Sequence, residues 1–153
     1  MQITITQWKD EYADAFRDLS LEWLTKYVEV EPRDVETFDH PHETVLDPGG
    51  MIWFALADGV PVGTIGLAPE ENGEWELIKL AVTQDFQGYG IGRQLIETVI
   101  QRAKKMHLKK LVLFTNSKLQ AAVHLYERYG FVRVALRGAV YKTSDLKMEL
   151  TLS

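Results

Sequence analysis

Three glycines fall within five residues in the stretch Gln87-Gly88-Tyr89-Gly90-Ile91-Gly92, and Arg93 follows them. Glycine lets backbone approach backbone and removes the side chains that would shield amides. A strand-like segment, 74–82, precedes the stretch, and an amphipathic segment runs from it to about Met106. A strand, a glycine-rich turn and a helix N-terminus together present unpaired N–H groups that suit a diphosphate. Glu76 lies in the preceding segment, among Leu77, Ile78, Leu80 and Val82. A carboxylate in so apolar a row can have its pKa raised toward the range useful to a general base. Its other reading is a solvated carboxylate near a strand start.

The remaining polar candidates are thinner. His40 and His42 are two residues apart with no third ligand, and the chain has no cysteine. That excludes disulfides, thiolate metal sites and a cysteine nucleophile, and no metal is expected. Glu29, Glu31 and Asp34 cluster beside Trp23 and Tyr27, and together they could recognise an ammonium group through charge and cation–π contact. A solvent-facing acidic loop beside core aromatics would look the same. Tyr141, in the alternating run before the last strand, is a candidate for lining an acceptor cleft.

These residues need elements to hold them. Ile3 and Ile5 alternate with polar neighbours, as in a strand. Tyr12, Phe16, Leu19 and Trp23 keep helical spacing, which predicts a helix from about Asp10 to Tyr27. The stretch Val28 to Gly50 is the least periodic, and Pro41 limits any second helix within it. Asp58-Gly59 is a two-residue hairpin turn between apolar runs, and Asn72-Gly73 marks another. Ile91, Leu95, Ile96, Val99, Ile100 and Ala103 form one helical face. A strand from Lys110 to Thr115, a helix from Leu119 to Tyr129 ended by Gly130, and two closing strands, 131–134 and 146–152, complete the order. Alternation along 76–82 puts Glu76, Ile78, Leu80 and Val82 on one face and Leu77, Lys79 and Ala81 on the other, unless a bulge intervenes. The class is α/β: one domain over 1–153, a central mixed, mostly antiparallel sheet flanked by helices. The glycines follow several strands rather than the first, and they lack GxGxxG spacing and a following Lys-Ser/Thr, so neither a Rossmann start nor a P-loop fits.

Composition narrows the partners. Lys and Arg total 17 against 22 Asp and Glu, a net charge of −5, and no dense basic tract exists to follow a nucleic acid. The first residues do not form a signal peptide, and no apolar run is long enough for a membrane span. The expectation is a cytoplasmic protein without nucleic-acid or membrane partners.

The glycine stretch resembles the Gln/Arg-x-x-Gly-x-Gly/Ala signature of the GCN5-related N-acetyltransferases. Downstream, Ala122-Val123-His124-Leu125-Tyr126-Glu127-Arg128-Tyr129-Gly130-Phe131 is similar to their Ala-x-x-Leu-Tyr-x-x-x-Gly-Phe run. The strand Glu76 to Val82 looks like their splayed central strand, and the element order matches over nearly the whole chain. The resemblance implies the acyl-CoA N-acyltransferase fold, acetyl-CoA as cofactor, and transfer of its acetyl group to a primary amine on a small molecule or peptide. It implies that Gln87, Gly88, Tyr89, Gly90, Ile91, Gly92 and Arg93 surround the diphosphate. Leu80, Ala81 and Val82 would pair with the pantetheine arm.

By the same resemblance Glu76 is the base, an amide near Val82 is the oxyanion donor, and Tyr126 protonates the departing thiolate. Tyr126 could equally be a core residue of its helix. The family often carries an asparagine seven residues before this tyrosine, where this chain has Leu119. Asn116 and Ser117 could supply that polar contact, or could simply cap the helix. Dimerisation is common to the fold, so a homodimer is compatible. The alternative function is a regulatory module that binds acyl-CoA without turnover.

Overall fold

A computed structural model describes residues 1–136 and 143–152. Seven strands form one sheet: β1 (Ile3–Gln7), β2 (Met51–Ala57), β3 (Val60–Pro69), β4 (Trp75–Val82), β5 (Lys110–Thr115), β6 (Val132–Val134) and β7 (Leu146–Thr151). Their order is β1-β2-β3-β4-β5-β7-β6. All neighbours are antiparallel except β4 and β5. The sheet is therefore mixed and mostly antiparallel, as expected. Both short turns lie where glycine spacing put them: Asp58 and Gly59 have φ of 48° and 85°, and Gly73 has 86°.

Helices α1 (Ala13–Tyr27) and α2 (Pro32–Asp39) cover one face, and α3 (Ile91–Lys105) and α4 (Gln120–Arg128) cover the other. The α3 side holds the larger core, around Ile65, Leu95, Ile96, Leu111 and Met148. The α1 side packs Phe16, Phe38, Ile52 and Phe54. The expected first helix opens as a 3₁₀ turn, Asp10–Tyr12, before the α-helix begins. The aperiodic segment contains α2, with Pro32 in its first turn, and then a π turn, His42–Leu46. Pro is tolerated there because the first-turn N–H has no intrahelical acceptor.

A bulge does intervene in the alternation of β4. Gly66 pairs with Ile78 and Thr64 with Ala81, so Ile65 faces both Lys79 and Leu80. Lys79 takes φ 55°, a conformation that L-residues rarely adopt. This bulge resets the parity. Leu80 and Val82 pack with Leu77 on the α3 side, while Ile78 stays on the α1 side. Lys79 lies on the α1 side too, over the ring of Phe38 at 5.3 Å. Already before the bulge β4 leaves β5: the two share one rung, Glu76 with Val112, and β5 pairs with β7 along its length. No helix of the described residues is long and apolar enough to cross a membrane.

Candidate active site

The glycine loop forms one wall of a long groove of about 890 Å³. Gly88 and Gly90 have φ of 87° and 78°, and α3 begins immediately after. The Gln87 side chain donates to the Val82 carbonyl at 3.0 Å, which ties the loop back to the end of β4. The first turn of α3 carries no acidic residue, so nothing anionic competes for its amides. Gly92 faces α4, where a Cβ would make an ordinary contact with Leu125 at 3.7 Å. The facing wall is the start of α4. Arg93, Lys118 and Arg128 line the groove, and among the described residues no carboxylate does. Of the expected cofactor residues, Leu80, Ala81, Val82, Gln87, Gly88, Gly90, Ile91, Gly92 and Arg93 line it. Tyr89 does not: it is 61% exposed and lies beside Phe86.

The divergence of β4 from β5 leaves a cavity of about 110 Å³ between the strands, under α1. Tyr126 borders both this cavity and the groove. It is buried against Phe131, ring centroids 5.9 Å apart, and burial raises the phenol pKa, so it holds its proton at neutral pH.

Glu76 borders the same cavity on its other side. It is 7% exposed, which removes the reading as a solvated carboxylate. Burial, and then the neighbouring Glu70 carboxylate, push it up to about 8, against smaller opposing contributions from Arg33 and Lys79. Glu70 is also raised, first by burial. Cross-strand register explains the pairing: Ala68 is opposite Glu76, and the Glu70 amide donates to the Glu74 carbonyl at 2.7 Å, so Glu70 and Glu76 are diagonal neighbours.

Beyond Glu76 a second recess opens, about 590 Å³, between α2, the π turn and the β3–β4 connection. Glu36, Glu43, Glu70, Glu71, Glu74 and Glu76 line it, with Arg33 as the single cation among its described lining residues. Glu70 pairs with Arg33 at 3.2 Å, and Glu74 pairs with Lys147 at 3.0 Å. Among the described residues no Lys or Arg forms an ion pair with Glu76 itself.

The expected acceptor residues scatter. Glu31 is buried at the start of α2, where its carboxylate accepts from the Thr143 amide at 3.1 Å and hydroxyl at 2.7 Å. Its own amide donates to Asp34 at 2.8 Å, half of a capping box. Asp34 also holds Lys79. Glu29 is exposed in the α1–α2 connection and borders none of the three recesses. Tyr27 lines the groove with Trp23 rather than the acidic recess. Tyr141 lies outside the described residues.

Asn116 borders the cavity, but its amide donates to the Thr143 carbonyl at 2.7 Å, and its Oδ1 accepts from the Lys118 amide at 2.9 Å. Ser117 bonds Asp145 through both amide and hydroxyl, at 2.7 and 2.6 Å. Both therefore shape the entry to α4 and tie it to the segment that leads into β7. His42 bonds Asp10 at 2.7 Å, beside Trp8, and no metal-holding cluster exists among the described residues.

Glu70, Arg33, Lys79 and Ser20 are site residues that sequence reasoning did not single out. Register could have flagged Glu70, because a carboxylate just past the end of β3 faces one near the start of β4. The other three gave no local signal.

Comparison with known proteins adds an independent line. The family profile described as Acetyltransferase (GNAT) family matches residues 6–131. A mouse protein named probable N-acetyltransferase family 8 member 5 is 33% identical over 113 residues, covering 71% of this chain and 48% of that protein. The chain thus spans about half the length of the curated relatives it matches. Among solved structures, an acetyltransferase of the GNAT family from Staphylococcus aureus superposes with a TM-score of 0.89 at 22% identity, over 99% of this chain and all of that one (100%). A GNAT family acetyltransferase from Elizabethkingia anophelis, solved with acetyl-CoA bound, has a TM-score of 0.71 at 24% identity over 98% of each chain. The profile match spans both glycine loop and Leu125-Tyr126 helix, and the fold agrees end to end: the chain belongs to the acetyltransferase (GNAT) family.

Proposed function

We propose that this protein transfers the acetyl group of acetyl-CoA to a primary amine by direct attack in a ternary complex. The observation that carries the reading is a polarity. A cation-lined groove and a carboxylate-lined recess meet at one cavity, with Tyr126 on the groove side and Glu76 on the recess side. An anionic cofactor and a cationic acceptor would be drawn to opposite ends of that passage. The bound acetyl-CoA of the Elizabethkingia relative is consistent with this assignment of the groove.

The residues fit the cofactor. The glycine loop and the first turn of α3 offer backbone amides for the pyrophosphate, with Arg93, Lys118 and Arg128 nearby. Leu80, Ala81 and Val82, where β4 has left β5, border the groove along the path of the pantetheine arm. When bound, acetyl-CoA supplies an activated thioester carbonyl. The acceptor attacks as the neutral amine, and Glu76 takes one of its N–H protons as the C–N bond forms; with its pKa near 8 it is a base of suitable strength once deprotonated. Tyr126 holds a proton on the groove side for the leaving group. The chain has no cysteine to form an acyl-enzyme, which agrees with direct attack. The acceptor is an amine of a small molecule or peptide, favoured when it carries additional positive charge. Operation in the cytoplasm without nucleic acid belongs to the same reading.

The test mixes the protein with acetyl-CoA and a panel of primary amines (cadaverine, phenethylamine, glucosamine, a lysine-containing peptide) and follows free thiol. Amine-dependent thiol release supports the reading. Absence of acetyl-CoA binding at high micromolar concentration overturns it. One feature favours the alternative of a silent acyl-CoA-binding module: apolar Leu119, which borders both cavity and groove where the family often has asparagine. That module would bind acetyl-CoA yet release no thiol with any amine.

A further inference from the structure

Ser20 lies on the sheet-facing side of α1 and is 2% exposed. Its Oγ is the one buried side-chain nitrogen or oxygen among the described residues with no hydrogen-bond partner. Buried hydroxyls are nearly always bonded, and an orphan costs stability. The usual remedy in a helix is a bond back to the carbonyl four residues earlier. Thr25 makes that bond to Leu21 at 2.8 Å, Thr37 to Arg33 at 3.0 Å, and Thr98 to Gln94 at 2.8 Å. Ser20 makes no such bond to Phe16. Instead Ser20 borders the cavity that Glu76 and Tyr126 also border.

We infer that Ser20 is an acceptor-binding residue that holds the second N–H of the attacking primary amine and so selects primary over secondary amines. The inference rests on the acetyl-transfer reading above. The hydrogen count requires such a group. A neutral primary amine has one lone pair and two N–H bonds. The lone pair forms the C–N bond as the C–S bond breaks. One N–H proton leaves to Glu76, and the sulfur takes its proton from Tyr126. The other N–H survives as the N–H of the amide product, and in a buried cavity it needs an acceptor throughout. Asn116 is already bonded to Thr143 and Lys118, and Asp34 to Lys79 and the Glu31 amide. The Ser20 hydroxyl has both its acceptor and its donor capacity open.

Ser20→Ala tests this, with Ser20→Cys as a second variant that keeps a polar-sized group but accepts poorly. Each amine of the panel is compared with its N-methylated counterpart in wild type and variants, beside thermal melting without ligands and acetyl-CoA titration. Removing an orphan hydroxyl from a helix leaves the melting temperature unchanged or higher. The expected result is that outcome together with a five- to tenfold rise in acceptor KM, on the order of one hydrogen bond. The preference for primary over N-methylated acceptor shrinks by a similar factor, and acetyl-CoA affinity stays the same. A lowered melting temperature in step with the lost affinity, or an unchanged amine preference, overturns the inference. Turnover in the wild type with acceptor KM and amine preference unchanged in the Ser20 variants overturns it alone, whereas no turnover with any amine overturns the acetyl-transfer reading and this inference together.

Discussion

Lys79 reaches from the bulge in β4 to the carboxylate of Asp34 in α2, and both side chains are almost fully buried, at 8% and 2% exposure. The pair crosses from sheet to helix beside the cavity and fixes a lysine in a backbone conformation, φ 55°, that glycine would adopt more easily. Burial lowers the Lys79 pKa, while the Asp34 carboxylate acts against that. Removing one partner strands a buried charge. Asp34→Ala is expected to cost about 3–5 kcal/mol, whereas the paired change Asp34→Leu with Lys79→Met should recover much of it. Urea unfolding of the single and double variants checks the expectation. Equal losses in both would show that charge burial is not the reason.

Glu76→Gln should lower kcat/KM by roughly 10²–10⁴, the usual contribution of a positioned general base. Tyr126→Phe should lower kcat within the same range or below it, since it removes only the proton for the leaving group. Acetyl-CoA titration should show unchanged affinity for Glu76→Gln, because Glu76 does not border the groove. Loss of cofactor binding in that variant would assign Glu76 a structural task instead.

The pH dependence follows from the carboxyl pair. Glu76 must be deprotonated to act, and it sits near pKa 8, so kcat/KM should rise with pH through about 8. Glu70 is the second cause of that elevation, after burial. Glu70→Gln should therefore move the rising limb to lower pH while the plateau stays. Asp34 and Arg33 on α2, Lys79 on β4 and Glu74 just before β4 face the same region and are unchanged in that variant. A limb that does not move would mean that burial alone sets the value.

Stability carries the opposite sign. Glu76 binds its proton more tightly folded than unfolded, since its pKa rises from 4.5 to about 8. Folding is then favoured below pH 4.5 by this group, and that contribution is lost as pH rises through about 8. Melting temperature compared between wild type and Glu76→Gln from pH 5 to 9 should show the variant gaining on the wild type as pH rises. A constant difference would contradict the linkage.

Gly88 and Gly90 have open space where a Cβ would go, so substitution meets no clash, only a backbone in the left-handed region. Gly88→Ala and Gly90→Ala should each cost roughly 1–2 kcal/mol. If the loop relaxes to avoid that cost, its amides turn away from the groove, and acetyl-CoA should bind about tenfold more weakly by calorimetry. Full affinity in both variants would show that side chains, not this loop's backbone, hold the diphosphate.

Much of the molecule was legible because its signals are local. Asp58-Gly59 and Asn72-Gly73 each encode a turn within two residues. The stripe from Ile91 to Ala103 needs only its own period, and the glycine loop announces its amides by what it lacks. Such features depend on backbone sterics and helical spacing, which the sequence states directly. The family resemblance followed from the glycine loop and the Leu125-Tyr126 to Gly130-Phe131 run in the right order. The departures all depend on distant partners. The bulge at Lys79 exists because β3 supplies one residue where β4 supplies two, and that register reversed the faces of Leu80 and Val82.

Glu31 looked like a free carboxylate for an acceptor until Thr143, 112 residues away, occupied it. The Glu76 carboxyl is pushed up to about 8 only where burial and Glu70 act on it together. The sequence by itself determined where the elements lie, where the glycine loop opens a helix and which family the chain joins. The tertiary structure alone decided which carboxylates have partners, because pairing and desolvation are properties of the packed interior rather than of any segment. By that route it placed Glu76, raised by burial and by Glu70, and Ser20, which among the described residues has no hydrogen-bond partner, at the same cavity.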